Sequence, residues 1–486
     1  MKHKITLSIL LFGLFIINPV QAQNNSSFTK TFGSHLDERS FDLIEGNAGD
    51  ILVAGYQESS SGDYEAIAYL LDSLGNLKTK KIFSDVNIFY ELTQHDSNYI
   101  FFGVKSNQSK PYDTRLVVVK TDFNLNLVDS FNVFLMDTLA VGEINTIVDN
   151  RGNYVSSGFL FDPYQNFSPV SFVYQISKNG DMKRHKLGPY TGYNSNLSDQ
   201  IIIEHFDKQG YYLFDQVNDD GSHIVYLDSN LNIVPSRSIE KYDMQYHTNK
   251  SYRATKISSH ELLYIDAIYN KNYNIIVVDT ANQFNYVKEF GESNYYDRPL
   301  NGLSKYDNNL FISGTYFPSL TIADFSNDTN GIRIIKMDTA FNVHWEREID
   351  RNAWFLYSAV YATKDGGCLV AAPVYDADTM NFHHDIVLFK IDANGNITGT
   401  HRIEDAAGQS LSVYPNPGDD YFSFNLPIGK ATLQVFNQNG KLLFDQPLTG
   451  KGSQKIDMKQ YASGVYFLRL IDDKQRIVGT AKWIKR

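Results

Sequence analysis

The 486-residue chain has a single cysteine, Cys368, so no internal disulfide can form. An exported chain without disulfides has to rely on a large core or on metal. Cys368 lies in the apolar run "GGCLVAAPV", where a buried, inert thiol is expected rather than a nucleophile. Beyond residue 22 no run is apolar enough to span a bilayer, so the expectation is a soluble mature protein without a transmembrane segment. There is no G-x-S-x-G elbow, no phosphate-cradling glycine loop and no dinucleotide fingerprint. Linear motifs therefore supply no catalytic residue, no cofactor and no metal site. Lys and Arg number 44 against 55 Asp and Glu, a net charge of −11. An acidic surface repels phosphate backbones, which excludes nucleic acid as a partner.

What is present begins at the N-terminus. Lys2, His3 and Lys4 precede an apolar stretch from Ile5 to Val20, and Val20-Gln21-Ala22 is a small-residue exit. This pattern is a secretory signal peptide, residues 1–22, cut after Ala22. A retained anchor is the alternative, and the short apolar stretch with a cleavable exit argues against it. The signal carries two lysines and no acid, so the remainder holds 42 basic and 55 acidic residues, a net −13.

Tyr and Phe number 32 each, which with β-branched residues favours sheet over helix. A unit of about fifty residues recurs through the chain. Its second strands read "DILVAGYQ" (50–57), "NYIFFGVK" (98–105), "NYVSSGFL" (153–160), "GYYLFDQV" (210–217), "ELLYIDAI" (261–268), "NLFISGTY" (309–316) and "GCLVAAPV" (367–374). Each third strand ends at a turn anchored by Asp72, Asp122, Ser177, Asp228, Asp279, Asp338 or Asp392, with gaps of 50, 55, 51, 51, 59 and 54. Asp or Ser at a strand end bonds its own backbone two residues on, and Gly or Asn supplies the positive φ of a tight hairpin. Second strands apolar on both sides of the pleat must be covered on both faces. Gly and Ala in them suit places where neighbouring sheets crowd.

The expected fold is all-β: a seven-bladed β-propeller over residues 23–404, followed by a small C-terminal antiparallel β-sandwich. Six or eight blades follow if either end is misplaced. Tandem β-sandwiches are the competing arrangement, but they would not repeat the same turn at the same interval. "FTKTFGSHLDERS" (28–40) matches "VKEFGESNYYDR" (287–298), and both look like a fourth strand leading into the next blade. The first copy lacks a blade of its own. It is expected to pair with the last blade near 396–404 and close the ring.

The copies at 29–38, 47–56 and 390–396 resemble repeats of secreted Bacteroidetes proteins, in which "KTFG-S-x-x-D-E" leads to a Gly-bearing strand and "K-x-D-x-x-G-N". That resemblance implies fold and lineage, not chemistry.

Residues 405–410, "DAAGQS", break the repeat as a linker, and 411–486 read as the small sandwich. Pro415 and Pro417 lack N–H groups and lock φ, so 413–417 is expected as an extended entry without ladder bonds, ahead of a strand at Tyr421–Leu426. Tyr414, Pro415, Asn416 and Pro417, with "ASGVYFLRL" and a basic "KWIKR" terminus, resemble the type A C-terminal sorting domain of the type IX secretion system. That resemblance implies two-step export, recognition by the type IX machinery at the outer membrane, and a cut in or near 404–411. The protein would then be secreted or attached at the cell surface.

Other short matches are weaker. "HELLY" (260–264) opens like a zinc-protease helix, but the second histidine is absent and the segment reads as strand. His383, His384 and Asp385 stand together in "NFHHDIVLF" at a loop-to-strand junction; His383 and Asp385 would share one strand face, and two ligands are not a site. "DANGN" (392–396) fails as a calcium loop because its twelfth position is Ile403, so it reads as the repeat's hairpin turn. The loops at 158–172 and 314–331 carry Tyr, Phe, Asn and Asp suited to a sugar or peptide face, or to packing between blades. The expected function is a binding or scaffold propeller that grips a glycan or protein through blade loops. The alternative is a secreted hydrolase or lyase acting on polysaccharide or peptide, with its site assembled from several loops.

Overall fold

The computed structural model describes residues 27–486 outside 162–169, 186–200, 318–329, 376–382, 403–410 and a number of shorter stretches. The signal segment with Ala22, the 405–410 linker, the turn after Asp279 and much of the 158–172 and 314–331 loops lie outside the described residues. The chain is all-β, and among the described residues the one helical element is a 3-10 turn at Pro235–Arg237.

Between Phe28 and Arg402 the described strands form seven sheets, each built on a meander of antiparallel hairpins, the seventh also taking in the N-terminal strand. The first sheet shows the pattern: Glu38–Glu45, Ile51–Glu58, Tyr64–Leu71 and Leu77–Phe83, paired in chain order. Its second strand is buried at every residue but Glu58, as a strand covered on both faces must be. Its fourth strand, "LKTKKIF", is largely exposed and carries the charge.

The first strand of each sheet touches the first strand of the next, and the seventh touches the first. The apolar clusters follow the same circle. Leu52 and Ala68 of the first sheet pack with Phe89 and Phe101 of the second. At the far end, Leu369 and Leu388 of the seventh sheet pack with Leu43 and Tyr69 of the first. The arrangement is a propeller, with first strands inside and fourth strands outside.

Phe28–Phe32 closes the circle. It pairs antiparallel with Asp385–Ile391, Lys30 facing Leu388, and parallel with Thr400–Arg402 on its other side. The partner expected at 396–404 is therefore the lesser one. The third strand at 385–391 offers a full open edge, and it takes the N-terminal strand in the place of its own fourth strand. Phe28 and Phe32 are buried in the same cluster as Leu369 and Leu388.

The repeated turns have one construction. At Asp72, Asp122, Asp228, Asp338 and Asp392 one carboxylate oxygen accepts the N–H groups two and four residues on. The other oxygen takes the Nδ2–H of the Asn four residues on. Asn126, through its side chain and backbone, holds the Asp122 carboxyl below the usual range, and Asn342 does the same for Asp338.

Gly holds the positive φ at Gly75, Gly180 and Gly395, as expected, but the expectation needs correction at three other turns. Leu125, Leu231 and Phe341 hold φ of 63°, 67° and 65° there. A left-handed residue costs about 1–2 kcal/mol. Leu125 and Leu231 are buried between neighbouring sheets, which returns about 1.5–3 kcal/mol each.

Gly55 and Gly103 also differ from expectation. A Cβ on Gly55 would meet the Arg39 carbonyl, and one on Gly103 the Ile88 carbonyl. The crowding comes from the first strand of the same sheet, which bulges opposite each glycine, and not from a neighbouring sheet.

The C-terminal sandwich pairs Tyr421–Leu426 with Gly452–Asp457, and stacks them against a four-stranded sheet ordered Leu442–Thr449, Lys430–Asn437, Gly464–Ile471, Ile477–Lys485. Phe422, Phe424 and Ile456 from one sheet meet Leu433, Leu468 and Trp483 from the other.

Candidate functional site

The Pro415–Pro417 segment docks on the end of the chain. Two prolines remove two backbone donors, and the Asn416 side chain supplies pairing in their place. Its Nδ2–H donates to the Lys482 carbonyl at 2.6 Å, and its Oδ1 accepts the Ile484 N–H at 3.0 Å. Trp483 Nε1–H donates to the Pro415 carbonyl at 2.8 Å. Gly418 donates to the Ile484 carbonyl and accepts from the Arg486 N–H, both at 2.9 Å. The entry is not wholly free of ladder bonds, because Tyr414 exchanges a bonded pair with Ser423. That pair fits since Tyr414 precedes the first proline and keeps its N–H. Lys485 buries its ammonium on the carbonyls of Met458 and Tyr461, at 2.8 and 2.7 Å. The Pro415–Gly418 segment and the carbonyls of Met458 and Tyr461 thus both hold the final strand.

A second candidate lies inside the ring. The first strands bulge between Ser40 and Asp42, between Phe89 and Glu91, and between Ser251 and Arg253. A bulge re-aims the residue that follows it. Here it turns a carboxylate, a carboxylate and a guanidinium toward the axis from the first, second and fifth sheets. Asp42 accepts the Leu92 N–H at 3.0 Å and the Leu43 N–H at 2.9 Å. Glu91 accepts the Thr146 N–H, Asn145 Nδ2–H at 2.6 Å and Arg253 Nη1–H at 3.1 Å. Asn145 Oδ1 takes the Ile202 N–H at 2.9 Å. Asp42, Glu91 and Asn145 therefore link the first four sheets in series through their inner strands.

Burial pushes the Glu91 carboxyl up to about 7, against the pull of Arg253, and burial likewise raises Asp42. Beside this cluster lies a cavity of about 490 Å³. Its lining comes from five inner strands and includes Asp42, Glu45, Gln94, Arg253, Lys305 and Lys364. Glu45 accepts the Lys364 N–H across the seventh-to-first junction at 2.9 Å. These strands are the inner edges of their sheets, so backbone N–H and C=O groups add to the polar wall.

The residues singled out from the sequence fall elsewhere. His384 donates its backbone N–H to Asp37 Oδ1 at 2.8 Å and sets its ring on the same oxygen at 2.7 Å. His260 sits in a turn, its N–H on Ser258 Oγ, and Glu261 starts a strand. Asp392 is occupied by its turn. The Cys368 thiol is fully buried, and burial pushes it up to about 12. Among the described residues, no three His, Cys, Asp or Glu side chains cluster as a metal set. Sequence reading missed Asp42, Glu91 and Arg253. The signal was there: "SFDLI", "FYELT" and "SYRAT" each set a charge directly after an aromatic in a first strand.

Comparison with known proteins bears on the C-terminus. Residues 412–486 match the family described as "Secretion system C-terminal sorting domain". They are a type IX sorting domain. Such a domain marks proteins exported by the type IX system, released or attached at the cell surface, and implies a Bacteroidetes source. No helix among the described residues is long and apolar enough to cross a membrane. No curated protein matches the chain. Solved structures resemble it at low identity. An oligogalacturonate lyase from Vibrio parahaemolyticus has a TM-score of 0.47 and 10% identity, covering 76% of this chain and 98% of that one. A protein of unknown function from Dyadobacter fermentans has a TM-score of 0.44 and 10% identity, covering 75% and 98%.

Proposed function

We propose that this exported protein is a seven-bladed binding propeller that grips a glycan or protein ligand at the ring. The sorting domain, with Tyr414, Pro415, Asn416 and Pro417 as its docking signature, delivers it to the cell surface. The observation that carries the reading is the state of the inner carboxylates. Asp42 holds two backbone N–H groups, and Glu91 holds three donors. Both serve as links between sheets, which leaves the cavity lined for recognition rather than proton transfer. A cavity of about 490 Å³ falls within the range of roughly 300–1,000 Å³ that holds small ligands.

The second reading, a hydrolase or lyase, draws on one observation. Glu91, pushed up to about 7, lies in the range useful to a general acid. Binding of the mature chain to polysaccharide and peptide arrays, with Lys305→Ala and Lys364→Ala as cavity variants, tests the binding reading. Retention weakened by the cavity variants supports it, and unchanged retention removes the cavity from it. Fusing 405–486 to an inert reporter tests delivery: the reporter should leave the cell, and one held in the periplasm contradicts the role of the signature.

A further inference from the structure

The outer face of the four-stranded sheet in the sorting domain breaks the rule for a solvated sheet. An antiparallel sheet packed on one side alternates apolar residues inward with polar residues outward. In Gly464–Ile471 the inward set is Tyr466, Leu468 and Leu470, all buried in the sandwich core. The outward set is Val465, Phe467 and Arg469. Phe467 pairs with Phe436 on one side and Lys482 on the other, and Phe436 pairs with Leu442. Directly opposed residues share a face, so Leu442, Phe436, Phe467 and Lys482 form one row across all four strands. Phe467 is 46% exposed and Leu442 42%. Val465 faces Ile484 on one flank of the row, and Arg469 faces Gln434 on the other. Arg469 donates its Nε–H to Gln434 Oε1 at 2.8 Å and lies 5.1 Å from the centre of the Phe436 ring. Asp445, opposite Gln434, is the one acid in these rows.

The signature segments meet on this face. "ASGVYFLRL" supplies Val465, Phe467 and Arg469, and "KWIKR" supplies Lys482 and Ile484. Their alternate residues are spent on the fold, Tyr466, Leu468 and Trp483 in the core and Lys485 on backbone carbonyls. Asn416, bonded to the Lys482 carbonyl and the Ile484 N–H, fixes the strand that brings Lys482 here. Charge divides the same way. Of the 42 basic and 55 acidic residues after residue 22, 411–486 hold 11 and 6, a net +5. Residues 23–410 keep 31 and 49, a net −18.

We propose that this sheet face is the surface by which a protein of the export machinery grips the sorting domain, through a contact that is apolar at its centre and acidic at its rim. Phe467 and Leu442 enter the apolar centre, and Lys482 and Arg469 meet carboxylates. The proposal rests on the delivery reading and not on the ring cavity. Charge complementarity selects the occupant. A second copy would set one +5 domain against another. The propeller has the opposite charge but leaves Phe467 and Leu442 exposed. A lipid surface calls for several cations with Trp or Tyr at the interface. These rows carry two cations, one acid and neither of those aromatics, whereas exposed Phe beside Arg is the composition of a protein interface core.

The test is export of the full chain from a Bacteroidetes host with a type IX system, read as the fraction in the medium and on the cell surface. Export that survives loss of 411–486 defeats the delivery reading, and this face with it. Phe467→Ser with Leu442→Gln removes the apolar centre, and Lys482→Glu reverses a charge without touching the core. Tyr421→Ser and Lys455→Glu alter the exposed side of the two-stranded sheet as controls. The exported fraction should fall about tenfold in the double variant and in Lys482→Glu, and stay at the parent level in the controls. Unfolding midpoints of the purified chains check the fold, and if the double variant is destabilised, Lys482→Glu decides. Parent-level export of the folded face variants overturns the proposal while leaving delivery intact, and so does an equal loss in the controls. Purified chain that binds phosphatidylglycerol vesicles through Phe467 assigns the face to lipid, and self-association lost in Phe467→Ser assigns it to a second copy. Either result overturns it.

Discussion

Arg253 Nη1 lies 3.1 Å from Glu91 Oε1, joining inner strands of the fifth and second sheets that are 162 residues apart in the chain. The Glu91 side chain is 6% exposed and that of Arg253 26%, so the pair sits mostly out of water. Removing one partner leaves a buried charge alone, whereas removing both does not. Arg253→Met should destabilise the ring by about 2 kcal/mol, reduced from the fully buried case by the guanidinium's partial exposure. Glu91→Gln in the same chain should recover much of that loss. Denaturant titration checks this, and equal loss in the single and double variants would contradict the tie.

The same carboxyl sets a pH dependence. Burial raises Glu91 from an ordinary 4.5 to about 7, so the folded chain binds this proton before the unfolded chain does. The contribution of the group to stability is therefore fully favourable below about 4.5 and is lost as pH rises through about 7. Between pH 5 and 8, Glu91→Gln should show a flatter dependence of unfolding free energy on pH than the parent. Parallel profiles would place the titration elsewhere.

Ring closure rests on Phe28–Phe32. Phe32 is 2% exposed and packs on the seventh and first sheets together. Deleting residues 24–33 opens the seventh sheet and strips this packing. The unfolding midpoint should fall by many degrees, and Phe32→Ala alone should cost about 3–5 kcal/mol. A midpoint left unchanged by the deletion would mean that the circle closes by other contacts.

At the turn of the fourth sheet two effects oppose each other. Leu231→Gly relieves a left-handed residue, worth about 1–2 kcal/mol. It also empties a fully buried leucine site, at about 2–5 kcal/mol. Packing should win, with a net loss of about 2 kcal/mol in thermal or denaturant unfolding. A stabilised variant would show that φ strain dominates and that the plug is incidental.

The sheet architecture was legible because it is periodic. Apolar second strands and Asp-anchored turns recur at a constant interval, and local rules translate each into a hairpin. The C-terminal domain was legible because "YPNP", "ASGVYFLRL" and the basic "KWIKR" terminus stand together and resemble a known sorting domain, whereas Pro415 and Pro417 alone read as a linker end; the pairing of Asn416 with Lys482 and Ile484 was not legible. The inner cluster was not legible. Asp42, Glu91 and Arg253 are single residues far apart in the chain, and only bulging and ring closure bring them together. Leu125 and Leu231 misled for a related reason: an interface between sheets outweighed the turn's own preference for glycine.

Recognition without chemistry is the claim most directly open to measurement. The mature chain can be incubated with any polysaccharide or peptide it retains, and the solution assayed for new reducing ends, unsaturated uronate absorbance or free amines. The account predicts saturable retention with no product above the buffer control, in the parent and in Glu91→Gln alike. Product that appears with the parent and disappears with Glu91→Gln would contradict it and make Glu91 a catalytic acid.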